Sequence, residues 1–458
     1  MIFSSVFFLW VFLPAVLILH FLSSLLYRND PENRIKANNI LLLIASFAFY
    51  GLGGYRYLLL LFAVLIINYA GGLLIDKGIK PALFVTILLD IGLLSFFKFA
   101  DTFTDIILPL GISFYIFQSV SYVVDVYRNK AYVQKDFIKF SLYVSLFPQL
   151  VAGPIVRYSD IEKQLTDRDT SSDRFFDGMV RFCFGIGKKV LIANALAGPV
   201  DAIWGDKIQG LGATVTWFGA ICYILQLYFD FSGYSDMAIG LAKIFGFDLK
   251  ENFDHPYASK SIQEFWRRWH ISLSGWFKEY VYIPLGGSRC SSVRLVFNLL
   301  IVFGLTGIWH GAKLTFVVWG LFNGILIISE RLLSGNILKK NPVKLLNRIY
   351  TLFMVIIGFA VFRSENISQA LTFLKEMFSR GDGVYTVFSY LSMRLIVSFL
   401  LGWIFSFPVY GFIENRFKSE KKANIWAGLK GILAILILAV SMIEIIAGSY
   451  NPFLYFQF

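Results

Sequence analysis

Long apolar segments separated by short polar loops make up most of the sequence. The first, residues 2–26, is uncharged and long enough to cross a bilayer, which takes about 20 apolar residues. It lacks the basic start and small-residue cleavage site of a signal peptide, so we expect it to remain as a helix. Further apolar segments lie at about 40–50, 57–75, 82–99, 107–127, 137–156, 175–200, 214–229, 237–247, 293–309, 312–328, 349–362, 384–413 and 425–447. The pattern predicts an all-α, polytopic membrane protein.

Composition supports this class of protein. The chain is 57% hydrophobic and 16% charged, whereas soluble domains carry about 25% charged residues. Its net charge of +12 comes from Lys and Arg in short loops that form no continuous patch, so we expect contact with membrane lipids and no nucleic-acid partner. The basic loops at 28–36 and 416–422 are expected in the cytoplasm, which predicts that both termini are extracytoplasmic.

Helix-breaking residues interrupt some of these segments. Pro148 and Pro154 predict that the helix over 137–156 breaks before its end. Segment 40–50 is too short to span a bilayer alone, which predicts a re-entrant or tilted piece. Lys188 and Lys189 interrupt the segment before residue 200, and we expect them to extend to a cytoplasmic interface.

A polar run, Asp-Phe-Ser-Gly-Tyr-Ser-Asp at 230–236, lies between two apolar segments. It predicts a hinge between a helix over 214–229 and a helix over 237–247. Asp230 and Asp236 either cap the helix ends or contact substrate, and the sequence leaves both interpretations open.

The stretch 261–324 holds two of the four histidines, His270 and His310. Aromatic and charged residues alternate from 261 to 282, which is typical of a helix at the membrane–water boundary. Arg267 and Arg268 in it suit the phosphates of an acyl donor, because guanidinium binds phosphate in a bidentate manner. Contact with anionic lipid or a local ion pair is the alternative.

His310 lies in a tight connection between two apolar helices, followed by Gly311. An imidazole at such depth needs a lined, partly wet cavity, since burying its polar atoms without partners is costly. It suits a general base that takes a proton from a hydroxyl. The two histidines lack the short spacing of zinc ligands and the three cysteines lie far apart, so no metal site is predicted.

Several ordered motifs resemble the membrane-bound O-acyltransferase superfamily and, within it, the alginate O-acetyltransferase membrane subunit group. The matching runs are Pro109-Leu110-Gly111-Ile112-Ser113-Phe114, Asp125-Val126-Tyr127-Arg128, Ala152-Gly153-Pro154-Ile155, the run from Tyr228 to Ala238, the run from Glu264 to His270, Tyr282-Ile283-Pro284-Leu285-Gly286-Gly287, Trp309-His310-Gly311 and Tyr450-Asn451-Pro452-Phe453. The resemblance covers most of the chain.

The resemblance implies a single domain over 1–458 with a catalytic core at about 109–330, built as a helical ring around a central funnel. It implies that His310 is the catalytic histidine and His270 the supporting one, with Trp309 in the substrate site. It further implies a cytoplasmic thioester donor such as acetyl-CoA, no bound cofactor, a polysaccharide acceptor and a secreted or membrane-anchored hydrolase-like acetyltransferase partner. Many alginate-type members carry a histidine after the Trp-Gly step, whereas this chain has Trp319-Gly320-Leu321-Phe322-Asn323.

These observations predict a membrane O-acyltransferase in the bacterial cytoplasmic membrane that serves O-acetylation of an extracellular polysaccharide. Two alternatives stay open at this point. D-alanyl transfer to teichoic acid uses similar Trp-His-Gly and Arg-Trp-His motifs, although enzymes of that group typically lack Ile-Pro-Leu-Gly-Gly. A non-enzymatic transporter of glycans or lipids would use His310 and the acidic run in proton relay, but it would be expected to contain internal repeats.

Overall fold

The computed structural model describes residues 2–100, 108–205, 208–332, 344–380, 383, 385–417, 420–448 and 450–452. Within these ranges the regular structure is helical, with no strand. The α-helices, in chain order, are α1 (Leu13–Leu26), α2 (Pro31–Gly51), α3 (Tyr55–Asp76), α4 (Pro81–Ala100), α5 (Ile112–Tyr127), α6 (Phe137–Ser145), α7 (Phe147–Leu150), α8 (Tyr158–Ile161), α9 (Ser172–Gly187), α10 (Asn194–Ile203), α11 (Gly212–Ile244), α12 (Ile262–Arg268), α13 (Ile271–Phe277), α14 (Ser292–His310), α15 (Leu314–Leu332), α16 (Lys344–Arg363), α17 (Ile367–Met377), α18 (Met393–Phe405), α19 (Val409–Glu414) and α20 (Glu420–Ile446). Short π-helical segments lie at Phe8–Phe12, Lys188–Ala193 and Lys278–Tyr282.

Eight helices in the described ranges are long and apolar enough to cross a membrane. They are Phe8–Leu26, Tyr55–Asp76, Pro81–Ala100, Gly212–Ile244, Ser292–His310, Leu314–Leu332, Lys344–Arg363 and Lys422–Ile446. The prediction of an all-α, multi-pass membrane protein is therefore confirmed. The ring around a funnel, the single domain with its core at about 109–330, and the orientation of the termini stay predictions.

The chain divides into two units. The first comprises Met1–Ile186, Tyr234–Glu251 and Ala434–Ile446, and the second comprises Gly187–Gly233, Asn252–Leu433 and Ala447–Phe458. Helix α11 is continuous through both ranges, with residues 212–233 in the second unit and 234–244 in the first.

The first unit is organised around α5, whose residues from Ile112 to Val126 are all buried. Tyr143 Oη, on α6, donates to the backbone oxygen of Gln118 on α5 at 2.9 Å. The chain then bends between α6 and α7, and Phe147 N donates to Ser46 Oγ at 3.0 Å. The predicted break within 137–156 is therefore confirmed.

The second unit contains a close helix pair, α14 and α15. A Cβ on Gly307 would lie 2.4 Å from the backbone oxygen of Phe316, and a Cβ on Gly320 would lie 2.2 Å from that of Phe303. Only glycine permits this approach, which is how small residues bring membrane helices together. Gly311, with φ 149°, follows the last residue of α14, so the chain leaves the helix directly after His310.

Four predicted elements were wrong in extent. Segment 40–50 belongs to the 21-residue α2, whose first turn is capped by Asp30, so it is not a short piece. The hinge at 230–236 is absent because α11 runs through it. The boundary helix over 261–282 is two short helices, α12 and α13, separated at His270. The span over 384–413 is divided between α18 and α19.

Candidate active site

His310 is the last residue of α14 and is buried, with 8% of its surface exposed. Aromatic rings of α15 and α16 surround it. The centroid of its imidazole lies 5.3 Å from that of Trp319 and 5.0 Å from that of Phe362, both edge to face. The imidazole therefore lies in an apolar aromatic environment within the second unit.

His270 lies between α12 and α13 in the left-handed backbone region, with φ 45° and ψ 55°. Such a conformation is uncommon for residues other than glycine and often marks functional sites. Its ring is buried. The ring centroid lies 4.6 Å from that of Phe231, and the two rings meet edge to face. Burial lowers the pKa of the imidazole to about 3, so the ring is neutral at neutral pH.

The indole of Trp309 contacts both imidazoles. Its ring centroid lies 4.8 Å from that of His310 and 6.0 Å from that of His270. The structure thus brings together three residues that the sequence predicted as site residues, although His270 and His310 are forty positions apart. Their catalytic and substrate-binding roles stay predictions.

Asn252 was missed at the level of sequence. It is fully buried, and its Oδ1 lies 3.2 Å from His270 Nδ1 and accepts from Ser272 Oγ at 2.8 Å. Nothing in the run around position 252 marks it, because the contact depends on the turn at His270. Only knowledge of the break between α12 and α13 would have drawn attention to it.

Helix α12 is fixed by polar contacts from α15. The carboxylate of Glu330 accepts from the backbone nitrogens of Ile262 and Gln263 at 2.7 and 3.1 Å. Trp266 Nε1 donates to Asn323 Oδ1 at 3.1 Å. Asn323 therefore holds an aromatic residue of α12 in place.

The two arginines of α12 have different surroundings. Arg268 pairs with Glu264 at 2.8 Å and with Asp254 at 3.5 Å, which agrees with the local ion-pair alternative. Arg267 is exposed. A phosphate-binding role stays a prediction for both residues.

Asp230 forms a buried ion pair in the second unit. Its Oδ1 lies 2.7 Å from Lys189 Nζ, and the side chains are 3% and 1% exposed. The same ammonium donates to Asn194 Oδ1 at 2.8 Å and to the backbone oxygen of Pro452. The expectation that Lys189 extends to an interface was therefore wrong, because Asp230 compensates its charge inside the protein.

Asp236 belongs to the first unit. Arg181 donates to it at 2.8 Å and also binds Glu251. Both aspartates of the predicted hinge therefore bind basic side chains, and neither caps a helix end. Substrate contact by Asp230 or Asp236 stays a prediction.

A model of the membrane-bound O-acyltransferase family matches residues 131–368. The probable alginate O-acetylase AlgI of Pseudomonas putida is 37% identical over 100% of both chains. The peptidoglycan O-acetyltransferase of Helicobacter pylori is 31% identical over 100% of this chain and 98% of its own. The chain belongs to the membrane-bound O-acyltransferase family.

Membership of this family makes the protein an O-acyltransferase that uses an acyl donor, and the alternative of a non-enzymatic transporter is set aside. The teichoic acid D-alanyltransferase of Bacillus subtilis is also similar, at 29% identity over 48% of this chain and 58% of its own. In the described part of the chain, no cluster of three or more His, Cys, Asp or Glu residues is suited to a metal ion.

Proposed function

We propose that this protein is a bacterial O-acetyltransferase that moves acetyl groups from a cytoplasmic thioester, such as acetyl-CoA, across the membrane for O-acetylation of an extracellular polysaccharide. Full-length similarity to proteins named for acetyl transfer to alginate and peptidoglycan supports this function. The D-alanyltransferase matches half of the chain, so it supports the alternative of D-alanyl transfer less strongly.

In this proposal His310 acts as the general base. Its imidazole takes the proton from an acceptor hydroxyl, whose oxygen attacks the thioester carbonyl. A new oxygen–carbon bond forms, the carbon–sulfur bond breaks, and the departing thiolate takes up the proton from the imidazolium. No metal or bound prosthetic group is required for this sequence.

The surroundings of His310 suit this chemistry. Aromatic rings such as Trp319 and Phe362 contact the imidazole and limit the access of water, which would otherwise hydrolyse the thioester. Trp309 contributes to the substrate site, and His270 orients the donor or the transferred proton. Arg267 and Arg268 bind donor phosphates at the cytoplasmic face, where Arg267 is the more exposed. Asp230 and Asp236 contribute polar contacts to substrate.

The observation that carries the proposal is the contact of one indole, Trp309, with both His270 and His310. The test measures transfer from acetyl-labelled CoA by the purified full-length protein and by His310→Ala. We expect transfer to fall by about 100-fold or more, since a positioned base contributes roughly that much. Unchanged transfer by a folded variant would remove His310 from the mechanism, and transfer from a D-alanyl carrier thioester alone would favour the alternative.

The same proposal includes a partner and a location. The protein acts in the cytoplasmic membrane with both termini outside, and it hands acetyl groups to a secreted or membrane-anchored hydrolase-like acetyltransferase that modifies the polymer. Cysteine labelling from the two sides tests the orientation. Labelling from outside of a cysteine introduced at Arg28, between α1 and α2, would contradict it.

A further inference from the structure

Asn252 holds His270 through both its side chain and its backbone. Its Oδ1 lies 3.2 Å from His270 Nδ1, and its backbone oxygen accepts from Ile271 N at 2.9 Å. Asp254 N donates to the backbone oxygen of Arg268 at 2.9 Å, which joins the same two segments a second time. These bonds stabilise the unusual left-handed conformation of His270.

The other contacts of Asn252 Oδ1 identify this atom as the amide oxygen. Ser272 N donates to it at 3.2 Å, and Ser272 Oγ donates at 2.8 Å. A backbone N–H can only donate, so the atom that it contacts must be an acceptor. An amide oxygen bonds to His270 Nδ1 only when that nitrogen carries a hydrogen. The lone pair of the neutral ring is then on Nε2.

We propose that Asn252 is a positioning residue that fixes His270 as the Nδ1–H tautomer, so that Nε2 carries the lone pair used in acyl transfer. The use of that lone pair rests on the proposed function. The tautomer itself does not, because it follows from the contacts of Asn252 and can be observed without substrate.

The Asn252 amide oxygen is the hydrogen-bonding group observed at His270 Nδ1. His270 contacts the rings of Phe231 and Trp309, neither of which offers an oxygen acceptor to Nδ1–H. A buried N–H without an acceptor is strongly disfavoured. Removing the amide oxygen is therefore expected to move the hydrogen to Nε2, which would occupy the nitrogen that the reaction needs. In a catalytic histidine the wrong tautomer is severely damaging.

The test uses the full-length protein in lipid, labelled with ¹⁵N at histidine. The His270 signal is identified by its loss in His270→Gln. We expect Nδ1–H in the wild type and mainly Nε2–H in Asn252→Leu, which keeps the size and the backbone contact but lacks the acceptor. Asn252→Asp keeps an acceptor and should keep Nδ1–H. Ser272→Ala is the matched control, because it removes a neighbour of the amide and leaves the amide in place.

Acetyl transfer is measured on the same samples. The rate of acetyl transfer should be about tenfold or more lower in Asn252→Leu, because Asn252 sets the tautomer of His270. Asn252→Asp should retain more activity than Asn252→Leu. An Nε2–H tautomer in the wild type would overturn the proposal, even if Asn252→Leu does not fold. An unchanged tautomer in folded Asn252→Leu would also overturn it. A tautomer change together with full transfer by His310→Ala would leave this inference standing and contradict the proposed base.

Discussion

Lys189 Nζ lies 2.7 Å from Asp230 Oδ1, and both side chains are almost completely buried. Removing one charge of such a pair leaves the other without compensation in a medium of low polarity. We expect Lys189→Met to lower the free energy of unfolding by about 3–5 kcal/mol. The double variant Lys189→Met/Asp230→Leu should recover part of this loss, because it leaves no isolated charge.

Chemical denaturation in detergent, monitored by tryptophan fluorescence, checks this prediction. Lys188→Met is the matched control, since Lys188 is adjacent in sequence but only partly buried. Equal loss in Lys188→Met and Lys189→Met, or no recovery in the double variant, would contradict the prediction.

The glycine contacts between α14 and α15 predict a second result. Gly320→Ala would bring a Cβ to 2.2 Å from the backbone oxygen of Phe303, so the two helices must move apart. We expect a loss of about 1–3 kcal/mol of stability, as in other overpacked interiors, and slower acetyl transfer because His310 ends α14. In Gly304→Ala the new Cβ lies 3.7 Å from a side-chain atom of Leu321, so little change is expected. Similar melting temperatures for the two variants would show that the close approach is not required.

Substitutions of the two arginines of α12 should have different effects on the kinetics of acetyl transfer. Arg267 is exposed, whereas Arg268 is engaged with Glu264 and Asp254. If Arg267 binds donor phosphate, Arg267→Gln raises KM for acetyl-CoA by about tenfold with little change in kcat, since it removes one charge-assisted contact. Arg268→Gln is expected to raise KM less than Arg267→Gln and also to reduce stability, because it removes the ion pairs with Glu264 and Asp254. Steady-state kinetics at two salt concentrations checks both, and an unchanged KM in Arg267→Gln would exclude the phosphate role.

Stability should depend on pH through His270. The unfolded chain binds a proton near the ordinary pKa of 6.5, whereas in the folded chain burial lowers the pKa to about 3. Between these values acid favours the unfolded state, so stability falls as the pH is lowered, by at most about 1.4 kcal/mol per pH unit. Melting temperatures of wild type and His270→Gln from pH 7 to 5 check this, and the variant should show the shallower decline. Parallel declines would mean that His270 is protonated in the folded protein.

Elements whose ends are set by adjacent residues could be predicted from the sequence. His310 followed by Gly311 between two apolar segments predicted a helix end and a reversal, and α14 ends there. Pro148 predicted an interruption, and it lies in the first turn of α7, directly after the break that separates α6 from α7. In these places the residues that end a helix lie next to the residues whose position they determine.

Elements that depend on a partner distant in sequence could not be predicted. The run at 230–236 resembles a hinge because its polar residues interrupt an apolar sequence, but Lys189 binds Asp230 and Arg181 binds Asp236. With these charges compensated, α11 continues without a break. The tautomer-setting position of Asn252 was hidden for the same reason, since it contacts His270 eighteen positions later.

The contacts of the buried Lys189 ammonium also affect where a purification tag can be placed. The ammonium binds the backbone oxygen of Pro452, while Asn194 donates to Asn451 and Tyr450 donates to Asp201 at 2.8 Å. Residues 450–452 are thus hydrogen-bonded to the segment 189–201. A purification tag fused shortly after residue 452 is expected to weaken these hydrogen bonds. Affinity handles are better inserted in the exposed turn near Gly78, and a carboxy-terminal fusion that lowers yield should recover when it is moved there.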